Sequence, residues 1–560
     1  MAKIVKKEKK GLRSLSSSAG GSSVETSPLR PVFVEKTPPC ICNCPNHNQV
    51  RKVLMAIAKT DDLGKTYDQT LEEAWQIFME TTPMPATMGR VCPHPCETDC
   101  NRSALEGGVE INSLERFLGD YGLAKNLKPR KLTEEKRSEK IAVIGSGPAG
   151  ISCAYQLARR GYGVTIFEAF PKPGGMLRYG IPDYRLPQDV LDAEINRVLE
   201  MGVELKCNTA VGNNIPYESL QKEYRAIFVG IGAHKGIKLN IPGDDALNVF
   251  TGTEFLHRIN TGQTLDVGDH VVVIGGGDTA IDAARVARRL GAKSTILYRR
   301  TRNEMPAIKE EIDGALEEGV QIEFLAAPLK ITKNGDRAVG MKCQRMQLGE
   351  PDASGRRKPV PIPGDTFDLS FTTLIAAISQ EPDFGGADFL REGRDWIKTD
   401  EKMKTKAENF YAGGDDIELG IAVTAIYHGR RAAEAIHELI TGEPMPELPQ
   451  QEIIRHEKMK LSYYETKQPH PSQRLSVEDR LKKMDAEIVK TLSQDDAIAE
   501  AKRCLSCGLC FDCGSCWSFC QDNAIIKPVL KGQPYKFKLE FCNGCKKCAE
   551  NCPCGYIEMH

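Results

Sequence analysis

Cys510, Cys513, Cys516 and Cys520 stand at C-x2-C-x2-C-x3-C, and Cys542, Cys545, Cys548 and Cys552 repeat that spacing with Pro553 behind the last. Runs of this kind hold two [4Fe–4S] clusters, three thiolates of each run on one cluster and the fourth on the other. The rule assigns Cys510, Cys513, Cys516 and Cys552 to one cluster, and Cys542, Cys545, Cys548 and Cys520 to its neighbour. Such clusters carry single electrons, so electron transfer is the chemistry to account for. Structural zinc is the competing reading, but zinc usually takes its four thiolates as two separated pairs. A disulfide framework fits poorly with a long chain that opens on no secretory signal. Cys504, Cys507 and Cys554 exceed what two clusters need. They are expected to be structural thiols, with a small redox pair at Cys504 and Cys507 as the alternative.

Two glycine-rich turns supply a second chemistry. The apolar run Lys140–Ile144 enters Gly145-Ser-Gly147-Pro148-Ala149-Gly150, a helical stretch to about Arg160, and a strand at 164–167 ending on Glu168. Strand, GxGxxG, helix, strand and acid together form a dinucleotide-binding unit. Gly145 makes the tight turn, Gly147 admits the pyrophosphate, and Gly150 lets the helix lie close on the strand. The helix N-terminus favours the phosphates, and Glu168 suits ribose hydroxyls. A second unit follows: His270–Ile274, then Gly275-Gly-Gly277-Asp278-Thr279-Ala280, a helix to Leu290 and a strand at 294–298. It ends on Arg299-Arg300, with Arg302 beyond, where an acid would otherwise stand. Arginines can pair with a ribose 2′-phosphate, which predicts NADPH; a solvated loop and NADH is the plainer alternative. Downstream, Gly414-Asp415 ends a strand and opens onto a helix over 421–440, a place to hold a ribityl or pyrophosphate group. The first nucleotide fold is thus expected to be interrupted by the second and then to resume.

These stretches positioning the cofactors must come from several domains, which 560 residues allow. Composition is that of a globular protein, 41% hydrophobic and 27% charged. A net charge of −1 gives no pull toward nucleic acid. No apolar run reaches the ~18–20 residues of a membrane span, so the cytoplasm is the expectation. The Lys-, Ser- and Gly-rich start, 1–30, is expected to be a disordered tail. Glu8 and a preference for Lys over Arg argue against a targeting peptide there.

The nested folds, Gly145–Gly150, Gly174-Gly175-Met176-Leu-Arg178-Tyr-Gly-Ile-Pro182, Tyr184-Arg185-Leu-Pro187 and Gly413-Gly-Asp415 resemble the glutamate synthase small subunit family of FAD- and NAD(P)-dependent oxidoreductases. The resemblance covers about 39–440. Relatives include the N-terminal part of dihydropyrimidine dehydrogenase and the large subunit of electron-bifurcating transhydrogenase. It implies FAD at the first fold and NAD(P)H at the second, with Gly175, Met176, Arg178 and Arg185 near the flavin. It also implies an N-terminal helical iron–sulfur domain, with helices around 49–59, 71–79 and 111–123. There Cys44, Cys92 and Cys96 would ligate one cluster with Glu115 as fourth ligand, and Cys40 and Cys100 would serve another. The family's upstream C-x2-C is missing here, leaving Cys42 to help, so one or two N-terminal clusters are implied. His94 is read as a loop histidine. Cys153, Cys207 and Cys343 are read as buried small hydrophobes.

The tail, Arg503-Cys504-Leu-Ser-Cys507-Gly508 and the two runs, resembles that of DsrL-type flavoproteins, the partners of dissimilatory sulfite reductase. That implies an NAD(P)H:acceptor oxidoreductase passing electrons between NAD(P)H, FAD, [4Fe–4S] clusters and sulfite reductase, toward NAD(P)+ in a sulfur oxidiser and the other way in sulfite reduction. A small subunit for glutamate synthase or another synthase is the second reading, and a non-catalytic cluster scaffold the third. Two intact nucleotide sites oppose the third. Whether the chain forms a homodimer is left open.

The expected fold is α/β: nested FAD and NAD(P) Rossmann-like domains, a helical Fe–S domain and a ferredoxin domain. The expected division is a tail at 1–30, the helical Fe–S domain at 31–137, the FAD domain at 138–265 and 363–440, the NAD(P) domain at 266–362, a linker with helices at 441–500 and the ferredoxin domain at 501–560.

Overall fold

The computed structural model describes residues 27–353, 355–393, 396–448 and 451–560. Most of the expected tail, 1–26, lies outside the described residues. Its last part does not fit the expectation: Ser27 donates to Asn543 O (2.9 Å) and Arg30 to His560 O (2.6 Å). These backbone groups gain fixed partners on the far end of the chain, which orders them.

The helical domain is built on Val50–Ala58, Tyr67–Met79, Pro85–Val91 and Ile111–Ala124. Thr66 and Gln69 form a capping box at the start of the second helix. Leu71, Trp75, Phe78, Leu114 and Leu118 recur at helical spacing and are all buried. Two glycines let the last two helices touch. A Cβ on Gly89 would lie 2.3 Å from the Arg116 backbone, and one on Gly119 would lie 2.2 Å from the Ala86 backbone.

Each nucleotide fold is a five-stranded parallel sheet. The first runs Phe410–Ala412, Ala226–Val229, Lys140–Ile144, Gly163–Phe167, Glu204–Lys206. The second runs Gln321–Phe324, Lys293–Tyr298, His270–Ile274, Thr373–Ala376, Val249–Thr251. Their inner strands, such as Lys140–Ile144 and His270–Ile274, are apolar and mostly β-branched, as strands covered on both faces are. The second sheet therefore reaches past the expected 266–362 on both sides. Short apolar strands buried on both faces read alike, so their sequence does not say which sheet they join. The chain crosses between sheets through a two-stranded link, Lys235–Gly236 against Gln380–Glu381. An antiparallel sheet of Ala326–Asn334, Arg337–Pro351 and Arg357–Ser370 projects from the second fold.

The tail closes back on the head. Pro31–Phe33 pairs antiparallel with Ile557–Met559. Phe33 stacks on Phe537 and Tyr556, with centroids at 4.4 and 5.3 Å. Helix Gln494–Ala501 buries Ala497 and Ala501 in the same core as the N-terminal helices. The segment expected as a linker touches several bodies: Ile454 donates to Thr37 O, and Ile488 to Tyr184 O. No helix among the described residues is long and apolar enough to cross a membrane.

Candidate functional site

The nucleotide turn after Lys140–Ile144 behaves as glycine chemistry requires. Gly145 has φ 93°, and a Cβ there would lie 2.2 Å from Gly230 O. A Cβ on Gly150 would lie 2.0 Å from Gly145 O, so the helix Pro148–Arg159 sits on the turn itself. Gly147 faces open space toward Gly175, and no atom comes nearer than 4.0 Å to a Cβ built on it. That gap is where a pyrophosphate fits, between two helix N-termini: Pro148–Arg159 and Ala422–Thr441.

These residues open on a cavity of about 670 Å³. Gly145, Gly147, Pro148, Ala149, Glu168, Gly175, Met176, Arg185, Gly414 and Asp415 line it, as expected. So do Asp278, Thr279 and Asp282 from the second fold, which places both nucleotide sites on one cavity. Gly275 and Gly277 shape the turn behind them. A Cβ on Gly275 would lie 2.2 Å from Ala377 O, while Gly277 stays open. The donor set suits a flavin dinucleotide. Glu168 accepts from Ser146 N (3.0 Å) and Phe170 N (2.8 Å), and its buried carboxylate faces the cavity. Asp415 accepts from Gly420 N (3.2 Å), and burial pushes its carboxyl up to about 6.

Three positions lining the cavity escaped the sequence reading. Ser146 ties the two glycine segments together, its Oγ accepting from Gly174 N at 3.1 Å. His234 lines the cavity beside His257, and burial lowers its pKa to about 4, which keeps it neutral. Asp282 accepts from Tyr184 Oη (2.9 Å) and Arg185 Nη1 (2.7 Å), latching the loop after Gly175 onto the second fold. A loop histidine and a mid-helix aspartate carry no sequence signal. The Gly174-Gly175 pair, needing φ 126° and 54°, was the visible trace of Ser146's partner.

Two expected cofactor residues are placed otherwise. Arg178 is buried against Gln188 Oε1 (2.6 Å), Asp192 and Pro173 O, and it does not line the cavity. The arginine pair divides as well. Arg300 is buried, donating to Arg357 O (2.8 Å) and Asp352 Oδ2 (2.7 Å), so its guanidinium holds the projecting sheet. Arg302 pairs with Asp313. The Arg299 side chain is exposed and makes no ion pair or hydrogen bond among the described residues. The pair sits in a bend just past the strand Lys293–Tyr298, where neighbouring side chains part in a way their sequence alone does not resolve.

The cysteines gather in four groups. The contact of Gly89 with the Arg116 backbone sets Cys92, at the end of its helix, beside Glu115. Cys44, Cys92, Cys96 and Glu115 lie close enough to shift one another's ionisation. Burial first, then Glu194 and Glu97, pushes Glu115 up to about 8. Its Oε1 is buried with no hydrogen-bond partner among the described residues, which suits a metal ligand. Val91 and Pro93, on either side of Cys92, line the flavin cavity.

Cys40 and Cys100 share a second small cavity, and its other thiols are Cys504 and Cys507. This places the latter two, expected as structural thiols, beside two cysteines of the N-terminal domain. Cys42 is exposed and apart. Cys510, Cys513, Cys516 and Cys552 line a third cavity, and Cys520, Cys542, Cys545 and Cys548 a fourth, in the crossed pattern expected. Cys554 joins the third, its Sγ 3.8 Å from that of Cys552. Ala524 N donates to Cys520 Sγ (3.2 Å) and Tyr556 N to Cys552 Sγ (3.3 Å), bonds of the kind that tune a thiolate holding iron. Among the described residues no three His, Cys, Asp or Glu converge on a single-ion site. A [4Fe–4S] cube needs no such convergence, because each ligand binds its own iron.

Comparison with known proteins agrees with this geometry. The family model described as pyridine nucleotide-disulphide oxidoreductase matches 139–429. One described as dihydropyrimidine dehydrogenase domain II, 4Fe-4S cluster, matches 32–127. The chain is 36% identical over 519 residues to the NADPH-Fe(3+) oxidoreductase subunit beta of Geobacter sulfurreducens (strain DL-1 / KN400), covering 85% of this chain and 76% of that one. It is 38% identical to the NADP(+)-dependent formate dehydrogenase subunit beta of Moorella thermoacetica, covering 72% and 60%. It is 33% identical to the glutamate synthase [NADPH] small chain of Escherichia coli (strain K12), covering 71% and 88%.

Proposed function

Because the chain belongs to the pyridine nucleotide-disulphide oxidoreductase family, we propose that it serves as the flavin-bearing terminal of an electron relay to a separate protein. It is an NADPH-dependent oxidoreductase that binds FAD and [4Fe–4S] clusters. Bound FAD supplies the exchange between two-electron chemistry with NADPH and one-electron chemistry with clusters. The observation that carries the reading is the shared cavity, walled by both nucleotide folds and by the residues flanking Cys92.

The chain's own groups position and insulate. Gly145, Gly147, Gly150 and Gly175 cradle the flavin pyrophosphate, with Glu168 and Asp415 on its hydroxyls. Gly275, Gly277, Asp278 and Thr279 receive the nicotinamide nucleotide. Cys44, Cys92, Cys96 and Glu115 hold the cluster next to the flavin, and the two C-terminal runs hold the outer pair. The Tyr184–Arg185–Asp282 latch sets one nucleotide fold against the other. Arg299 receives the 2′-phosphate. Arg299→Ala is expected to raise KM for NADPH at least about tenfold, the size of one charge-assisted contact, with little change for NADH. Arg300→Ala should instead lower thermal stability. Equal effects of Arg299→Ala on both nucleotides in steady-state kinetics remove the assignment.

For the acceptor, the tail supports dissimilatory sulfite reductase. Likeness to a glutamate synthase small chain supports a synthase instead, but the two C-terminal runs exceed what the minimal small subunit carries. Purified protein is expected to reduce a tetrazolium dye with NADPH, and to oxidise NADPH on sulfite when dissimilatory sulfite reductase is added. Absence of dye reduction refutes the enzyme. Dye reduction without sulfite-dependent NADPH oxidation refutes that partner.

A further inference from the structure

We infer that Cys504 and Cys507, from the C-terminal segment, complete a [4Fe–4S] cluster with Cys40 and Cys100 of the N-terminal domain, so that one metal site fastens the two ends of the chain together. The inference deepens the relay proposed above and rests on it.

Three observations converge. The four thiols line one buried cavity, and each chain segment brings two of them. A [4Fe–4S] cluster asks for four thiolates, each on its own iron, which is the donor number present. The wall is also cationic: Arg51 and Arg102 line the cavity, both almost fully buried. Arg51 spends Nη1 on Lys36 O and Cys507 O (both 2.7 Å) and Nη2 on Glu35, but its Nε is buried with no partner. Glu35 meets the charge, but a buried donor left idle is costly, and a cluster with four thiolates supplies sulfur acceptors and net negative charge at that wall.

The frame around the site is preformed. Arg503 is fully buried and donates to Gly107 O (2.8 Å), Gly108 O (2.7 Å) and Lys467 O (2.9 Å). Arg102 answers with a bond to Arg503 O (2.7 Å). The Cys504–Cys507 pair is therefore held near Cys100 by bonds from buried arginines to backbone carbonyls, not by chance approach of a loose loop. A disulfide between Cys504 and Cys507 would leave Cys40 and Cys100 without purpose.

The site supplies the missing step of the relay. Cys40 lies four residues before Cys44, Cys96 four before Cys100, and Cys507 three before Cys510. Ligands so spaced lie at most about 14 Å apart at Cα. Each site thus neighbours the next, from the flavin-side cluster through this one to the outer pair. One electron enters from Cys44's cluster as one leaves toward Cys510's, so charge is conserved at each stop.

The test is iron content per chain in full-length protein reconstituted without oxygen. Four clusters predict about 16 irons for the unaltered chain. Cys504→Ser/Cys507→Ser and Cys40→Ser/Cys100→Ser should each hold about 12 irons at the four-per-cluster count, with FAD content unchanged. The two should lose the same electron paramagnetic resonance signal on reduction. Cys42→Ser and Cys554→Ser should keep full iron. The inference is overturned if Cys504→Ser/Cys507→Ser keeps full iron, if the two double variants lose different signals, or if Cys42→Ser loses four irons. Failure of dye reduction with normal iron counts would instead refute the enzyme reading and leave this site standing.

Discussion

Glu318→Ala is expected to lower the stability of the second nucleotide fold by about 3–5 kcal/mol, the cost of stripping one partner from a buried ion pair. Glu318 is fully buried between two arginines. It accepts from Arg285 Nε (3.0 Å) and Nη2 (2.6 Å) and from Arg289 Nη1 (2.6 Å) and Nη2 (3.0 Å). Without it Arg289 loses its carboxylate partner among the described residues, and Arg285 keeps only Glu311. Both also lie over the Tyr184 ring, at 4.8 and 4.0 Å from its centroid, so the disturbance reaches the loop beside the flavin. A thermal melt should show a midpoint drop on the order of 10 °C. Glu318→Gln, which keeps the shape but not the charge, should fall between. A drop under about 2 °C would mean the pair carries no stability worth the name.

Gly150→Val is expected to yield protein that folds its helical and C-terminal domains but holds almost no FAD. The new Cβ would stand 2.0 Å from Gly145 O, a backbone atom that cannot turn aside. Helix and turn must separate, and the pyrophosphate cradle opens with them. Flavin absorbance per chain should fall at least about tenfold, which needs Kd to rise to about ten times the free FAD concentration at about 1.4 kcal/mol per decade, and NADPH-driven dye reduction should fall in parallel. Iron content should hold. Near-normal flavin in this variant would show that the turn is not the cofactor's cradle.

How much of this was legible in the residues depended on distance along the chain. The two nucleotide turns and the crossed ligands of the C-terminal runs are local patterns, and each was visible. Glu115 was reachable only through resemblance. Nothing in its own helix marks it, and its place beside Cys92 depends on Gly89 meeting the Arg116 backbone. Arg178 and Arg300 misled because a motif position says which residue is near a ligand, not which way its side chain turns. The approach of Cys504 and Cys507 to Cys40 and Cys100 was the least legible feature, though a trace was present. A C-x2-C pair was missing at the head and one was left over at the tail. Joining them needs a contact between ends of the chain, which no local spacing reports.

The pairing of Val32 with Glu558 has a consequence for how the molecule comes into being. It is a contact of nearly maximal sequence separation, and contacts of that kind form last and slowly. On a ribosome the helical domain and both nucleotide folds would emerge before Ile557–Met559, the partner of Pro31–Phe33. The cavity around Cys40 and Cys100 would wait, two thiols short, until Cys504 and Cys507 are made. Assembly of the inferred cluster is thus timed by that later segment, and a chain interrupted before Cys504 would keep its flavin while lacking that stop on the relay.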